Sequence, residues 1–250
     1  MKHCGYFGKR PLERDFVFDG LAAGMTDLWA GLMSDWLVSV QHGLPQTWQR
    51  LYFEAPAWRF AIAPGLIGNM AWCGLLTASA DAVGRSFPLA VFAAAENPVH
   101  RLLFDRSAES TLDELEMQIM AFIEGQVTRK QFGAAIAGRA GALTRLQGAP
   151  PSSNGLDLAS GDQALRVSFA RTDGDAILAD DALTLRAPGR ASAGQPLSYW
   201  WQDGGTARPP EVCVWRGLPK GEGTGGFFSG AWETFGWRRG QIDPDRILRP

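Results

Sequence analysis

Three short apolar runs follow one another in this chain: Ala55–Ala63, Met70–Ala80 and Phe87–Ala95. Each is bounded by turn residues, Pro64-Gly65 after the first and Asp81 to Ser86 after the second, so each reads as a buried strand. The links between them are shorter than the roughly dozen residues a parallel crossover needs, so antiparallel pairing is expected. Runs this continuously apolar require cover on both faces. The implied fold class is α/β, with helices laid over a mixed, largely antiparallel sheet.

The stretch Asp81-Ala-Val-Gly-Arg-Ser-Phe-Pro-Leu89 lies between two of these strands and puts a charged pair, Asp81 and Arg85, beside the core. Gly84 permits a bend where a Cβ would clash, and Pro88 fixes φ as the next strand begins. Charge beside a core is costly unless paired, so Arg85 is expected to bind a carboxylate or backbone carbonyls. Asp15 and Asp81 are the acids near apolar sequence, and Arg59 and Arg85 abut strands. The leading reading is a structural ion pair tying the N-terminal segment to the sheet, in which loss of Arg85 strands a carboxylate at a cost of a few kcal/mol. A partner-binding surface ranks second. Last comes a small-molecule-binding or hydrolytic enzyme using Asp15 and Asp81 with Arg59 and Arg85 clamping an anion, which needs all four to converge in a pocket.

Helices are expected elsewhere. Thr26 can cap one whose apolar face carries Leu28, Trp29, Leu32, Met33, Trp36, Leu37 and Val40, ending near Gly43, and Gln46 to Tyr52 makes a shorter one. Two follow the third strand, the second opened by a capping box of Thr111 and Glu114, and another covers about 130–146. Residues 164–170, 197–201 and 211–215 read as strands, with a helix within 175–186. Gly221-Glu-Gly-Thr-Gly-Gly226 matches a dinucleotide fingerprint in letters only, because no βαβ unit surrounds it, and is expected to be a mobile loop.

Other signals narrow the function. The net charge is −2 with no basic block, which points away from nucleic acid. Apolar runs stop at roughly ten residues, short of the ~18 of a membrane span, and no leader-like h-region is visible, so a cytoplasmic location is expected. His3, His42 and His100 are isolated, Cys4, Cys73 and Cys213 form no C-x-x-C, and no nucleophile elbow or phosphate loop occurs. No metal or cofactor is therefore expected. Cys73 and Cys213 read as small core residues. Ten tryptophans could form a sugar-stacking surface, but their apolar-periodic positions favour the core.

Gly5-Tyr-Phe-Gly-Lys-Arg-Pro11, Asp15-Phe16, Tyr52, Pro56-Ala-Trp-Arg-Phe60, Asp81–Leu89, Ser198-Tyr-Trp-Trp201, Gly217-Leu-Pro219 and Phe227-Phe228 occur in that order along the chain. The ordered set resembles the TagF (ImpM) family of type VI secretion-associated proteins, most strongly over residues 1–95. The resemblance implies a three-layer α/β/α sandwich and a single domain over 1–250. That domain would have a motif-rich part at 1–146, a linker-like loop at 148–162, and C-terminal strands with a glycine-rich tail at 163–250. It also implies a cytoplasmic accessory protein that represses secretion after translation by binding the apparatus's forkhead-associated (Fha) protein. The resemblance brings no catalytic residues with the family's own domain, and the phosphatase fused to some relatives is not expected within these 250 residues. A binding patch is expected near Tyr199, Trp200 and Trp201, the glycine-rich loop, or the Asp15/Arg85 region.

Overall fold

Strands of alternating pleat and unbroken apolar character can be satisfied only between two helical layers, and that is how this chain is built. The computed structural model describes residues 4–95, 106–144, 163–172, 175–178, 185–186, 195–204 and 208–239. Strands β1 (Cys4–Gly8) and β2 (Val17–Asp19) precede helices α1 (Ala23–Gly43) and α2 (Trp48–Phe53). Strands β3 (Trp58–Ile62), β4 (Ala71–Thr77) and β5 (Leu89–Ala95) lead to helices α3 (Arg106–Ile123) and α4 (Arg129–Thr144). Then come β6 (Ala164–Thr172), β7 (Asp175–Leu178), β8 (Leu185–Arg186), β9 (Leu197–Gln202) and β10 (Glu211–Arg216). A short helix α5 (Gly225–Ser229) and a final strand β11 (Arg238–Arg239) complete the elements.

All eleven strands join one sheet in the order β11-β8-β6-β10-β9-β3-β4-β5-β1-β2, with β7 beside β6. Every described ladder is antiparallel, so the parallel component of the expected mixed sheet has no counterpart among the described residues. The two halves of the chain meet where β9 pairs with β3, in the register Arg59↔Trp201 to Ile62↔Ser198. The architecture is the three-layer α/β/α sandwich, and the layers differ in chemistry. One face of the central strands carries small and aliphatic groups, among them Ala61, Cys73, Leu75, Val91 and Ala93, under Leu112, Leu115, Ile119, Phe132 and Ile136 of α3 and α4. The opposite face carries Trp58, Phe60, Trp72, Phe92, Trp200 and Trp215 under α1, α2 and α5. Each such side chain contributes on the order of 2–3 kcal/mol when fully buried.

Two helices begin before the residues expected to cap them. α1 starts at Ala23 with Ala22 before it and no side-chain cap, and Thr26 turns its hydroxyl back onto the Ala23 carbonyl (2.7 Å). Leu28 is 39% exposed and lies off the apolar face; the other expected members of that face are buried. Thr111 and Glu114 lie inside α3, because the helix already begins at Arg106. Of the stretch between β5 and Thr111, where the first of the two expected helices would lie, residues 106–110 belong to α3 and 96–105 fall outside the described residues, as does the 148–162 loop. Of the helix expected within 175–186, the described residues 175–178 and 185–186 are instead β7 and β8, where pairing with β6 overrides local preference.

The glycine-rich segment is not a loose loop. Its residues Gly223 to Ser229 are buried, and Phe227 stacks on Trp36 with ring centroids 4.1 Å apart. A Cβ on Gly225 would overlap the Phe235 ring and one on Gly226 the Trp232 ring, so glycine is what lets these rings lie against the backbone. Three buried indoles donate to carbonyls of this C-terminal stretch: Trp58 Nε1 to Phe227 (2.8 Å), Trp36 to Pro219 (3.0 Å) and Trp237 to Gly223 (2.9 Å). Nine of the ten tryptophans are buried and Trp48 is half-buried, which removes the sugar-binding surface. Cys73 and Cys213 are fully buried, and burial pushes the Cys73 thiol up to about 12.

Candidate functional site

The 81–89 stretch closes around one carboxylate. Gly84 takes φ +84°, a left-handed conformation open to glycine, and its amide donates to the Asp81 carbonyl (2.9 Å). Asp81 is 3% exposed. Its Oδ1 accepts the amides of Val83 (3.1 Å) and Arg85 (2.9 Å), and its Oδ2 accepts Lys9 Nζ (3.0 Å) and Arg85 Nε (2.6 Å). Burial by itself would push this carboxyl up. The Arg85 amide, the Lys9 and Arg85 side chains and the Val83 amide outweigh that and hold it well below the usual carboxylate range. Four donors fill the four acceptor positions a carboxylate has, so none is left to face a substrate.

The same corner gathers three parts of the chain. Arg85 Nη2 donates to the Arg14 carbonyl (2.7 Å) and the Ala82 amide to the Glu13 carbonyl (2.9 Å). Ser79 Oγ donates to the Lys9 carbonyl (2.8 Å), while the Tyr52 hydroxyl donates to the Ser79 carbonyl (2.8 Å) and accepts the Ser79 amide (2.9 Å). Phe16 covers the corner, edge-on to Phe87 at 4.8 Å and beneath Lys9 Nζ at 5.3 Å. The N-terminal segment, α2 and the sheet are thus fastened together at Asp81.

Arg59 makes a second charged assembly with the opposite balance. Its side chain, 3% exposed, points from the central strand β3 toward α3. Nη2 reaches Asp113 Oδ1 (2.5 Å) and Glu116 Oε2 (3.5 Å), one turn apart on α3, and Nη1 reaches the Asp203 carboxylate beyond β9. Asp113 and Glu116 remain 57% and 38% exposed. Burial raises the Glu116 carboxyl, the Arg59 guanidinium pulls it down, and the Asp203 and Asp113 charges push it up again, for a net rise.

The expected site residues therefore separate. Asp81 and Arg85 do pair. Asp15 is exposed and bridges neither arginine, and Arg59 is held by Asp113, Glu116 and Asp203 instead of by Asp15 or Asp81. Tyr199, Trp200 and Trp201 are at most 7% exposed, so they are core and not a patch. The four residues of the enzyme reading do not converge, and a cavity lies elsewhere. That cavity, about 650 Å³, is bordered by Asp35, Ser39, His42, Glu222 and Phe235. Sequence reasoning missed Lys9, the acids of α3, and a buried Arg166–Glu211 pair whose carboxylate also accepts Trp232 Nε1 (3.2 Å). A pair of acids three positions apart on one helix, opposite an arginine inside an apolar strand, was the available signal. Among the described residues no group of His, Cys, Asp and Glu could hold a metal, and no helix is long and apolar enough to cross a membrane.

Residues 5–138 match the TagF N-terminal domain, described as type VI secretion system-associated. The fold is similar to that of PA0076 from Pseudomonas aeruginosa PAO1 in its crystal structure, at 23% identity and a TM-score of 0.62, covering 99% of this chain and 98% of that one. No curated protein matches the chain.

Proposed function

Because the chain belongs to the TagF family of type VI secretion system-associated proteins, we propose that it represses secretion after translation by binding the apparatus's forkhead-associated (Fha) component. It acts in the cytoplasm as a binding protein and not as an enzyme. The observation that carries this reading is the family match across 5–138, the region holding both the Asp81 corner and the α3 acids. The corner is consistent with it: the charged groups that looked most like chemistry are consumed in bracing the fold. The test is co-purification with the Fha protein of the same bacterium, together with secretion of a marker effector from cells lacking or overproducing the chain. Binding with increased secretion on deletion is expected. A chain that binds no Fha protein and whose removal leaves secretion unchanged would sink the proposal.

A further inference from the structure

The outer face of α3 joins two features that a helix covering a sandwich does not need. Met117 and Met120 are 63% and 41% exposed, three positions apart, and line a shallow concavity of about 380 Å³. Asp113, Glu116 and Glu124 border the same concavity. The cation held against Asp113 and Glu116 is Arg59, itself 3% exposed and unable to present charge to solvent, while Glu124 accepts the Gln126 side-chain amide (2.6 Å). Three carboxylates border the concavity, and the one guanidinium that meets two of them is also shared with Asp203, so the face keeps a net negative charge. Two of the acids are positioned by a buried group, so they are set in place before any partner arrives. Methionine adapts to varied apolar shapes and favours helix-in-groove contacts.

We infer that this face, built from Asp113, Glu116, Met117, Met120 and Glu124, docks an amphipathic segment of a protein partner whose apolar side chains are flanked by lysine or arginine. The inference rests on the reading of the chain as a binding protein. It adds where the partner sits and what chemistry it presents. The apolar side chains cover the methionines, and the cations supply the charge that Arg59 alone does not balance.

The test uses the full chain and two helical probe peptides, one leucine–lysine and one leucine–glutamate, with affinity followed by anisotropy at low and high salt. The leucine–lysine peptide is expected to bind, more weakly as salt rises, and the leucine–glutamate peptide not to bind. In Glu116→Gln/Met117→Ser/Met120→Ser/Glu124→Gln the affinity is expected to fall at least about tenfold, a typical loss when hot-spot contacts are removed. A charge-matched control, Asp35→Asn/Glu222→Gln, alters the cavity beside α1 and is expected to leave the affinity unchanged. Equal binding by the α3 variant and the unaltered chain overturns the inference, and so does an equal loss in the control. Failure of the unaltered chain to bind the Fha protein, with the peptide results as expected, counts against the proposed function and leaves the α3 face standing.

Discussion

Asp81, in the turn between β4 and β5, and Arg59, on β3, are both buried charges, yet they solve the problem from opposite ends. Asp81 is one anion with four donors, two of them backbone amides, and it is closed on all sides. Arg59 is one cation shared among three carboxylates that are themselves part-exposed. A saturated charge fixes geometry and has nothing left to offer a ligand. An over-shared one also fixes geometry but passes unbalanced charge outward to the surface. The first is a brace, whereas the second is a brace with an electrostatic outer face.

This contrast can be broken by substitution. The largest effect is expected from Asp81→Ala, which strands Lys9 and two amides, with a fall in thermal midpoint on the order of 10 °C by calorimetry. A fall no larger than that of Arg59→Ala would undo the distinction. Arg59→Ala leaves carboxylates that water can still reach, so its cost is expected to be smaller, about 2 kcal/mol by urea unfolding. Arg85→Ala sharpens the point. The sequence suggests a few kcal/mol, but the Arg85 side chain is 61% exposed and Lys9 keeps Asp81 paired, so about 1 kcal/mol or less is expected.

The smallest effect is one of sign. Asp81 has a depressed carboxyl in the folded state, so its contribution is present at neutral pH and lost as pH falls below the ordinary carboxylate value of about 4. Glu116 is raised, so it costs stability at neutral pH and recovers it on acidification through its folded value. Glu116→Gln is therefore expected to stabilise slightly near pH 7, by roughly 0.3 kcal/mol after screening, and to lose that advantage toward pH 4. A destabilised variant at neutral pH would show that Arg59 needs this acid after all.

The same contrast explains what could be read in advance. The Asp81 corner was legible because its turn is local: Asp81 and Arg85 are four positions apart with Gly84 between them. The partners of Arg59 lie 54, 57 and 144 positions away, and no spacing rule spans such separations. Central strands were legible because β3, β4 and β5 are buried along their whole length and, Arg59 and Thr77 aside, made of apolar residues and glycine. The tail was not, since Gly225 and Gly226 signal flexibility locally, whereas each lies against an aromatic ring, Phe235 or Trp232, that the chain folds back onto it. Thr111 and Glu114 show the converse failure, a sound capping pattern overruled by a helix that had already begun.

The unequal division of aromatic side chains between the two faces makes the molecule its own optical probe. Eight buried tryptophans belong to the layer under α1, α2 and α5, and Trp48 packs against it, while the α3/α4 layer holds Trp201 alone. Intrinsic fluorescence will therefore be dominated by the first layer and nearly dark to the second. Partial opening of the α3 side should pass almost unseen in emission while registering in helical circular dichroism, so the two signals together can time the loosening of each half of the sandwich.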